Sequence, residues 1–155
     1  ERYLKVNNLS LENLPEDLVV NTHICRGNYH STYASSGPYD KVAPYVFAQE
    51  KVESFYLEYD DKRSGNFTSL KEIPRGKKVV LGLITSKRPE LESKELIKRR
   101  IYEASQYVPL RDLYLSPQCG FASCEIGNML TEEEQFAKLR LVKEIAEEVW
   151  GAEEA

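Results

Sequence analysis

Four side chains that commonly bind metal ions follow short apolar runs in this sequence. They are one imidazole, two thiols and one carboxylate: His23, Cys25, Glu58 and Cys119. Short apolar runs of this kind predict buried parallel strands. In barrels and doubly wound α/β folds, chemistry collects at the carboxyl ends of such strands. The four residues therefore predict one metal site rather than four unrelated side chains.

The types of these side chains favour zinc. Zinc accepts sulfur, imidazole nitrogen and carboxylate oxygen, and a catalytic zinc keeps an open or exchangeable position. His23 and Cys25 are two residues apart, so a strand would turn both to one side. Glu58 and Cys119 would come from other strands. This wide spacing of ligands differs from the close spacing in a zinc finger. Thiolate ligands make zinc less electrophilic, so the site would suit activation of a bound thiol as a thiolate nucleophile.

Composition excludes several classes of protein. The 155 residues suit one domain, and 30% charged with 41% hydrophobic residues is ordinary for a globular protein. A net charge of -4 leaves no basic surface for nucleic acid, and no apolar run approaches the roughly 20 residues of a membrane span. Three cysteines without a secretory signal favour metal or catalytic use in a reducing cytoplasm. The sequence begins at Glu1 rather than at Met, so it could be a fragment or a processed chain.

The predicted elements alternate along the chain. Strands are predicted over 18–24, 55–59, 78–85 and 113–116, and helices over 40–51, 89–107 and from a capping box at Thr131 and Glu134 onward. This alternation predicts parallel βαβ units. Four strands are half of an eight-stranded barrel, which usually needs roughly 250 residues. We therefore expect residues 1–155 to form the carboxyl-terminal half of a (β/α)8 barrel. Its open edges would require an amino-terminal half or self-association.

Three segments also carry a resemblance to a known family. Residues 22–28, 57–61 and 115–121, with His-x-Cys and Pro-x-Cys-Gly as their most specific parts, resemble the cobalamin-independent methionine synthases. The chain looks most like the short single-barrel branch of methyltetrahydropteroyltriglutamate–homocysteine methyltransferases, nearly from end to end. The resemblance implies a TIM barrel and zinc held by His23, Cys25, Glu58 and Cys119. It also implies an enzyme that transfers a methyl group to the sulfur of homocysteine, which makes methionine.

The chain departs from the family at one functional position. Long members carry Ile-His-Ser after the next-to-last strand, where the His serves acid–base chemistry, whereas this chain has Ile84, Thr85 and Ser86. The proton donor to a folate leaving group is therefore unassigned, and the methyl donor could differ from methyltetrahydrofolate. Three alternatives stay open: a zinc-binding but catalytically incomplete fragment, a methyltransferase for another thiol or donor, and structural or redox-sensing cysteines without metal.

Further polar residues near the predicted strand ends are weaker candidates. His30 could supply an acid or a base. Asp60 or Asp61 could form a hydrogen bond with His23. An anion could bind at Ser86, Lys87 and Arg88. The substrate could contact Gln118 and Ser123. An exposed loop is the alternative for His30, for the two aspartates and for residues 86–88. Cys124 is predicted to be a small apolar residue of the core.

Overall fold

A computed structural model describes residues 2–122 and 124–151 of the chain. One sheet contains the strands β1 (Asn21–Ile24), β2 (Ser54–Glu58), β3 (Lys78–Ile84) and β4 (Leu113–Pro117). The spatial order is the chain order, β1-β2-β3-β4, and each neighbouring pair is parallel. The predicted α/β class with four parallel strands is confirmed.

Helices connect and flank these strands. They are α1 (Arg2–Ser10), α2 (Val46–Gln49), α3 (Lys94–Ala104) and α4 (Glu132–Trp150), with 3-10 turns at Lys62–Ser64, Phe67–Glu72 and Leu110–Asp112. The capping box that predicted α4 is present. The Thr131 hydroxyl accepts the Glu134 N–H at 3.2 Å, and the Glu134 carboxylate accepts the Thr131 N–H at 2.8 Å. Within the described ranges, no helix is both long and apolar enough to cross a lipid bilayer.

Two helix predictions were wrong at their amino-terminal ends. The helix predicted over 40–51 is only the four residues of α2, preceded by turns. Pro44 lies in this segment and disfavours helical geometry at the residue before it, so Asp40 caps no helix there. The helix predicted from Pro89 begins at Lys94 instead. Ser93 is its N-cap and accepts the Leu96 N–H, as the short hydroxyl side chain favours.

Strand boundaries agree with the prediction to within one residue, except at the start of β1. That strand was predicted from Leu18, but it pairs only from Asn21, opposite Ser54 at the start of β2. Leu18 and Val19 lie before the paired segment and are exposed. Apolar character alone therefore extended the predicted strand beyond the residues that have a partner.

The two faces of the sheet differ. One face packs on α3 and α4 and forms the core. This core includes Phe55, Leu57, Leu81, Leu83, Leu113, Ile97, Ile101, Leu141 and Ile145. On the other face, the strand register aligns His23, Tyr56, Val80 and Tyr114 in one row. Tyr56 and Tyr114 are 38% and 42% exposed, so this face is open to solvent.

A glycine in β3 sets the path of the chain after β4. The register between β3 and β4 shifts between Gly82 and Ile84. A Cβ atom at Gly82 would lie 2.7 Å from the Gln118 Cα atom and 3.0 Å from the Leu57 carbonyl oxygen. Because real side chains do not tolerate such contacts, glycine is required for the chain to cross β3 here. The crossing carries Cys119 toward the end of β2, where Glu58 pairs with Gly82.

Candidate metal centre

The four predicted metal ligands meet at the carboxyl ends of three strands. His23 lies in β1 and Cys25 directly follows it, Glu58 ends β2, and Cys119 lies two residues after β4. One ligand atom from each residue lies within 4.8 Å of all the others. The two sulfur atoms are 3.8 Å apart, and His23 Nε2 is 3.6 Å from Glu58 Oε1. Residues up to 96 positions apart in sequence are thus gathered into one cluster.

The spacing of these atoms fits a tetrahedral zinc ion. With Zn–S near 2.3 Å and Zn–N and Zn–O near 2.0–2.1 Å, tetrahedral angles require a sulfur–sulfur distance of about 3.8 Å and a nitrogen–oxygen distance of about 3.3 Å. The observed 3.8 Å and 3.6 Å agree to within a few tenths of an ångström. Two sulfurs, one imidazole and one carboxylate suit zinc, whereas calcium and magnesium prefer oxygen ligands alone.

Glu58 is fully buried and is held through both its side chain and its main chain. Its Oε1 atom accepts the Arg26 N–H at 3.0 Å, and its Oε2 atom lies 3.4 Å from Arg63 Nη2. The Tyr39 hydroxyl accepts the Glu58 N–H at 3.0 Å and donates to the Glu58 carbonyl at 3.3 Å. Since a buried carboxylate is costly without partners, these contacts offset its burial and fix its direction.

Asp60 and Asp61 support Arg63 rather than His23. Arg63 Nη2 is 2.7 Å from Asp60 Oδ1, and Arg63 Nη1 pairs with the Asp61 carboxylate. Asp61 also caps the following 3-10 turn, accepting the Arg63 N–H at 2.8 Å. The prediction that one aspartate bonds to His23 was therefore wrong, because the turn directs both toward Arg63. Burial alone would lower the pKa of Arg63, but the two aspartates outweigh it and the pKa is raised.

The cysteine sulfurs have distinct surroundings. Burial, with the neighbouring Cys25, raises the pKa of the Cys119 thiol to about 11. At neutral pH this thiol keeps its proton unless a cation displaces it. The Cys25 sulfur is more exposed and accepts the Gly27 N–H at 3.3 Å. Cys119 is therefore not a pre-formed thiolate ligand.

Gln118 anchors the segment before Cys119. It is buried, and its Oε1 atom accepts from Lys87 Nζ at 2.8 Å and from the Ser86 hydroxyl at 3.2 Å. Lys87 is also buried, and desolvation lowers its pKa. An exposed loop, the alternative for Ser86 and Lys87, is therefore wrong. An anion site at these residues stays a prediction, with Arg88 exposed.

The remaining candidates lie around this cluster. His30 is exposed, with a positive φ of 43°. Cys124 is only half-buried, so its predicted place in the core is wrong. Ser123 lies outside the described residues. The supporting roles of Arg26, Arg63 and Tyr39 were not predicted. Nothing in the sequence distinguishes these three residues from ordinary polar loop residues.

A cavity of about 290 Å³ opens beside two of the ligands, His23 and Cys119. Its other lining residues are Tyr56, Leu57, Ser116, Pro117, Gln118 and Gly120. The volume lies at the lower end for small-molecule sites. Two of its lining residues, His23 and Tyr56, belong to the row on the open face of the sheet, so the cavity lies between that face and the cluster.

Comparison with known proteins identifies relatives along nearly the whole chain. The family described as "Cobalamin-independent synthase, Catalytic domain" matches residues 7–148. The uncharacterized protein YxjH of Bacillus subtilis (strain 168) is 53% identical over 149 residues, which are 96% of this chain and 40% of that protein. The methionine synthase of Pyrococcus horikoshii is 28% identical over 101 residues, covering 65% of this chain and 26% of that protein.

A solved structure supports the same assignment. It comes from Listeria monocytogenes and is provisionally named a vitamin-B12-independent methionine synthase. It shares 39% identity with a TM-score of 0.76, over 98% of this chain and 41% of the other. The chain thus spans about two fifths of the length of YxjH and of the Listeria protein, and the predicted partial TIM barrel is confirmed. Since the family match takes in residues 7–148, the chain belongs to the cobalamin-independent synthase family and lies in its catalytic domain.

Proposed function

We propose that this chain supplies the metal-binding part of a zinc-dependent methyltransferase that makes methionine from homocysteine. His23, Cys25, Glu58 and Cys119 hold the ion in this proposal. Its main support is the convergence of four zinc-type ligand atoms within 4.8 Å at three strand ends. The relatives are much longer, so residues 1–155 are part of a larger barrel in this proposal, and the family resemblance of the sequence assigns them to its carboxyl-terminal part. The complete activity belongs to the longer protein.

Bound zinc would coordinate the substrate sulfur and lower the pKa of its thiol, so that a thiolate nucleophile is present at neutral pH. The residues of this chain hold and expose the site for that step. Arg26 and Arg63 keep the Glu58 carboxylate in place. The cavity beside His23 and Cys119 admits the thiol. The substrate sulfur would attack the methyl carbon, so that a sulfur–carbon bond forms as the bond between the methyl carbon and the donor breaks. The demethylated donor would leave with the electron pair of that bond, without a covalent enzyme intermediate.

The methyl donor is the part of the proposal that this chain constrains least. Thr85 occupies the position of the acid–base His of long family members. It is buried, its N–H donates to Glu92 Oε1 at 2.8 Å, and its hydroxyl accepts the Lys87 N–H at 3.3 Å. A threonine in these contacts cannot protonate a folate leaving group as an imidazole does. Methyltetrahydrofolate is therefore one candidate donor, and a donor whose leaving group needs no proton is the other.

A reducing cytoplasm is part of this proposal. The two ligand sulfurs are 3.8 Å apart, and an oxidising compartment would convert such a pair to a disulfide. Metal binding requires both thiols reduced.

Zinc content of the purified chain tests the metal centre. We expect one zinc per chain in the wild type, loss of zinc in Cys119→Ser, and retention in the matched control Cys124→Ser. Cys124 is the third free cysteine and lies outside the ligand cluster. Absence of zinc from a folded wild-type chain, or its retention in Cys119→Ser, would refute the proposed ligands. Oxidation to a Cys25–Cys119 bridge without metal loss would favour the redox alternative.

Methyl transfer is tested with the rest of the barrel supplied. Homocysteine and methyltetrahydrofolate, or other methyl donors, are incubated with the zinc-loaded chain, with and without the remaining part of a close relative. Methionine formed only by the mixture supports the proposal. Zinc binding without turnover of any thiol or donor would instead leave a catalytically incomplete metal-binding fragment.

A further inference from the structure

The loop after β1 contains a turn in an unusual backbone conformation. His30 and Ser31 have consecutive positive φ angles of 43° and 62°. Tyr29 and Thr32 close the turn, with N–H to carbonyl distances of 3.1 Å and 3.0 Å. Two-residue turns with positive φ at both positions favour Asn-Gly, because residues other than glycine uncommonly have positive φ, and two in succession are less common still. The turn is therefore strained.

The loop after β4 holds this turn in place. The Ser31 hydroxyl donates to Asn128 Oδ1 at 2.8 Å, and the Met129 N–H donates to Ser31 Oγ at 3.0 Å. Strained backbone persists only where surrounding contacts determine it. The contacts from residues 128 and 129 are of this kind, since they bind the second strained residue from outside its own loop.

The Asn128 side chain joins three loops. Its Nδ2 atom donates to the Ser86 carbonyl at 2.8 Å and to the Phe121 carbonyl, and its Oδ1 atom accepts from Ser31 and from the Leu130 N–H at 2.9 Å. An amide has two donors and two acceptor positions, so all four are used. The loops joined are those that follow β1, β3 and β4.

A second asparagine links the same loops closer to the ligands. Asn28 is buried, and its Nδ2 atom donates to the Ser86 hydroxyl at 3.1 Å and to the Gly120 carbonyl. Asn28 lies three residues after Cys25, and Gly120 directly follows Cys119. The segments that carry the two sulfurs are thus joined near the ligands by Asn28 and farther out by Asn128.

We propose that Asn128 is a positioning residue for the metal centre. By docking the strained turn on the loop after β4, it fixes the segments bearing Cys25 and Cys119 relative to each other. The 3.8 Å spacing of their sulfurs follows from that placement. Asn128 is not one of the four proposed metal ligands. The effect on metal rests on the proposed function, whereas the docking of the loops does not.

The test compares Asn128→Ala with two variants. Met129→Ala is the matched control, because its side chain is 68% exposed and its backbone N–H to Ser31 is retained. His30→Gly relieves strain, since glycine adopts positive φ freely, and leaves the tether intact. Each chain is loaded with Co²⁺, whose thiolate charge-transfer absorption reports both sulfurs. The loss of this absorption is followed after a chelator is added, and amide hydrogen exchange of Thr32 and Ala34 is measured in the metal-free chain.

We expect Asn128→Ala to release Co²⁺ at least ten-fold faster and to exchange the two amides at least ten-fold faster, while Met129→Ala behaves as wild type. Adding His30→Gly to Asn128→Ala should recover part of the slow release, which a general loss of stability would not explain. Faster exchange with unchanged Co²⁺ release would overturn the positioning role. A wild-type chain that binds neither Co²⁺ nor Zn²⁺ would overturn the proposed metal centre and this proposal with it.

Discussion

Lys138 in α4 provides a sharp test of how this fold holds the loop after β3. Its side chain is fully buried. The ammonium group donates to the Glu90 carbonyl at 2.6 Å and lies 3.1 Å from both carboxylate oxygens of Glu92. Glu92 Oε1 also accepts the Thr85 N–H at 2.8 Å. One ion pair therefore ties α4 to the segment that leads to Ser86 and Lys87.

The two partners of this pair should differ in what their removal costs. Glu92→Gln leaves a fully buried cation without its counter-ion, and breaking a buried pair in this way typically costs about 3–5 kcal/mol. We expect about 3 kcal/mol, because the glutamine oxygen still accepts a hydrogen bond. Lys138→Met leaves a carboxylate that is 16% exposed and still bonded to Thr85. That carboxylate can also be hydrated, so we expect about 1–2 kcal/mol.

Urea unfolding of both single variants and of the double variant measures these differences. The double variant should cost less than the sum of the two, with a coupling energy of at least about 1 kcal/mol. The control is Lys143→Met, since Lys143 pairs with Glu147 on the exposed side of the same helix, where such pairs contribute below about 0.5 kcal/mol. Equal costs for Glu92→Gln and Lys138→Met, or costs like that of the control, would refute the argument from burial.

Three further predictions concern the metal centre and its support. Because the pKa of Cys119 is raised to about 11, zinc must displace its proton. The apparent zinc affinity should therefore rise about ten-fold per pH unit through neutrality from this group alone; a competing chelator measures it, and a flat profile contradicts it. Arg63→Met removes the cation beside Glu58 and Asp60 and should weaken zinc about 10–100-fold, by the same competition assay. Gly82→Ala places a Cβ atom 2.7 Å from the Gln118 backbone and should destabilise the chain by about 1–3 kcal/mol in urea unfolding; an unchanged midpoint would show that the crossing yields.

The alternation of strands and helices could be predicted because each strand is a short apolar run between polar segments. β3 illustrates this, since Lys78–Ile84 is buried along nearly its full length and has no competing pattern. The start of β1 could not be predicted from the sequence. Leu18 and Val19 are as apolar as strand residues, and only the length of the neighbouring strand decides that pairing begins at Asn21.

The four candidate ligands were found because their types are unusual at strand ends. The residues that support them are ordinary. Lys87 and Gln118 are 31 positions apart, and Asn128 and Ser31 are 97 apart. These pairs meet only because parallel strands bring their following loops to one edge of the sheet. Local sequence does not indicate which loop residues will form hydrogen bonds with each other, so the buried network around the ligands could not be predicted.

The register of β4 against β3 limits how the chain can change in length. Tyr114 faces the open side of the sheet, while Leu113 and Leu115 pack on the core side. Because successive side chains alternate, inserting one residue between Leu113 and the Gly82 crossing would exchange these faces and carry Cys119 away from Glu58. The number of residues between β4 and Cys119 is therefore as constrained as the identity of the ligand. Length differences among relatives should fall after Gly120, where the described residues of the loop are not paired with a strand.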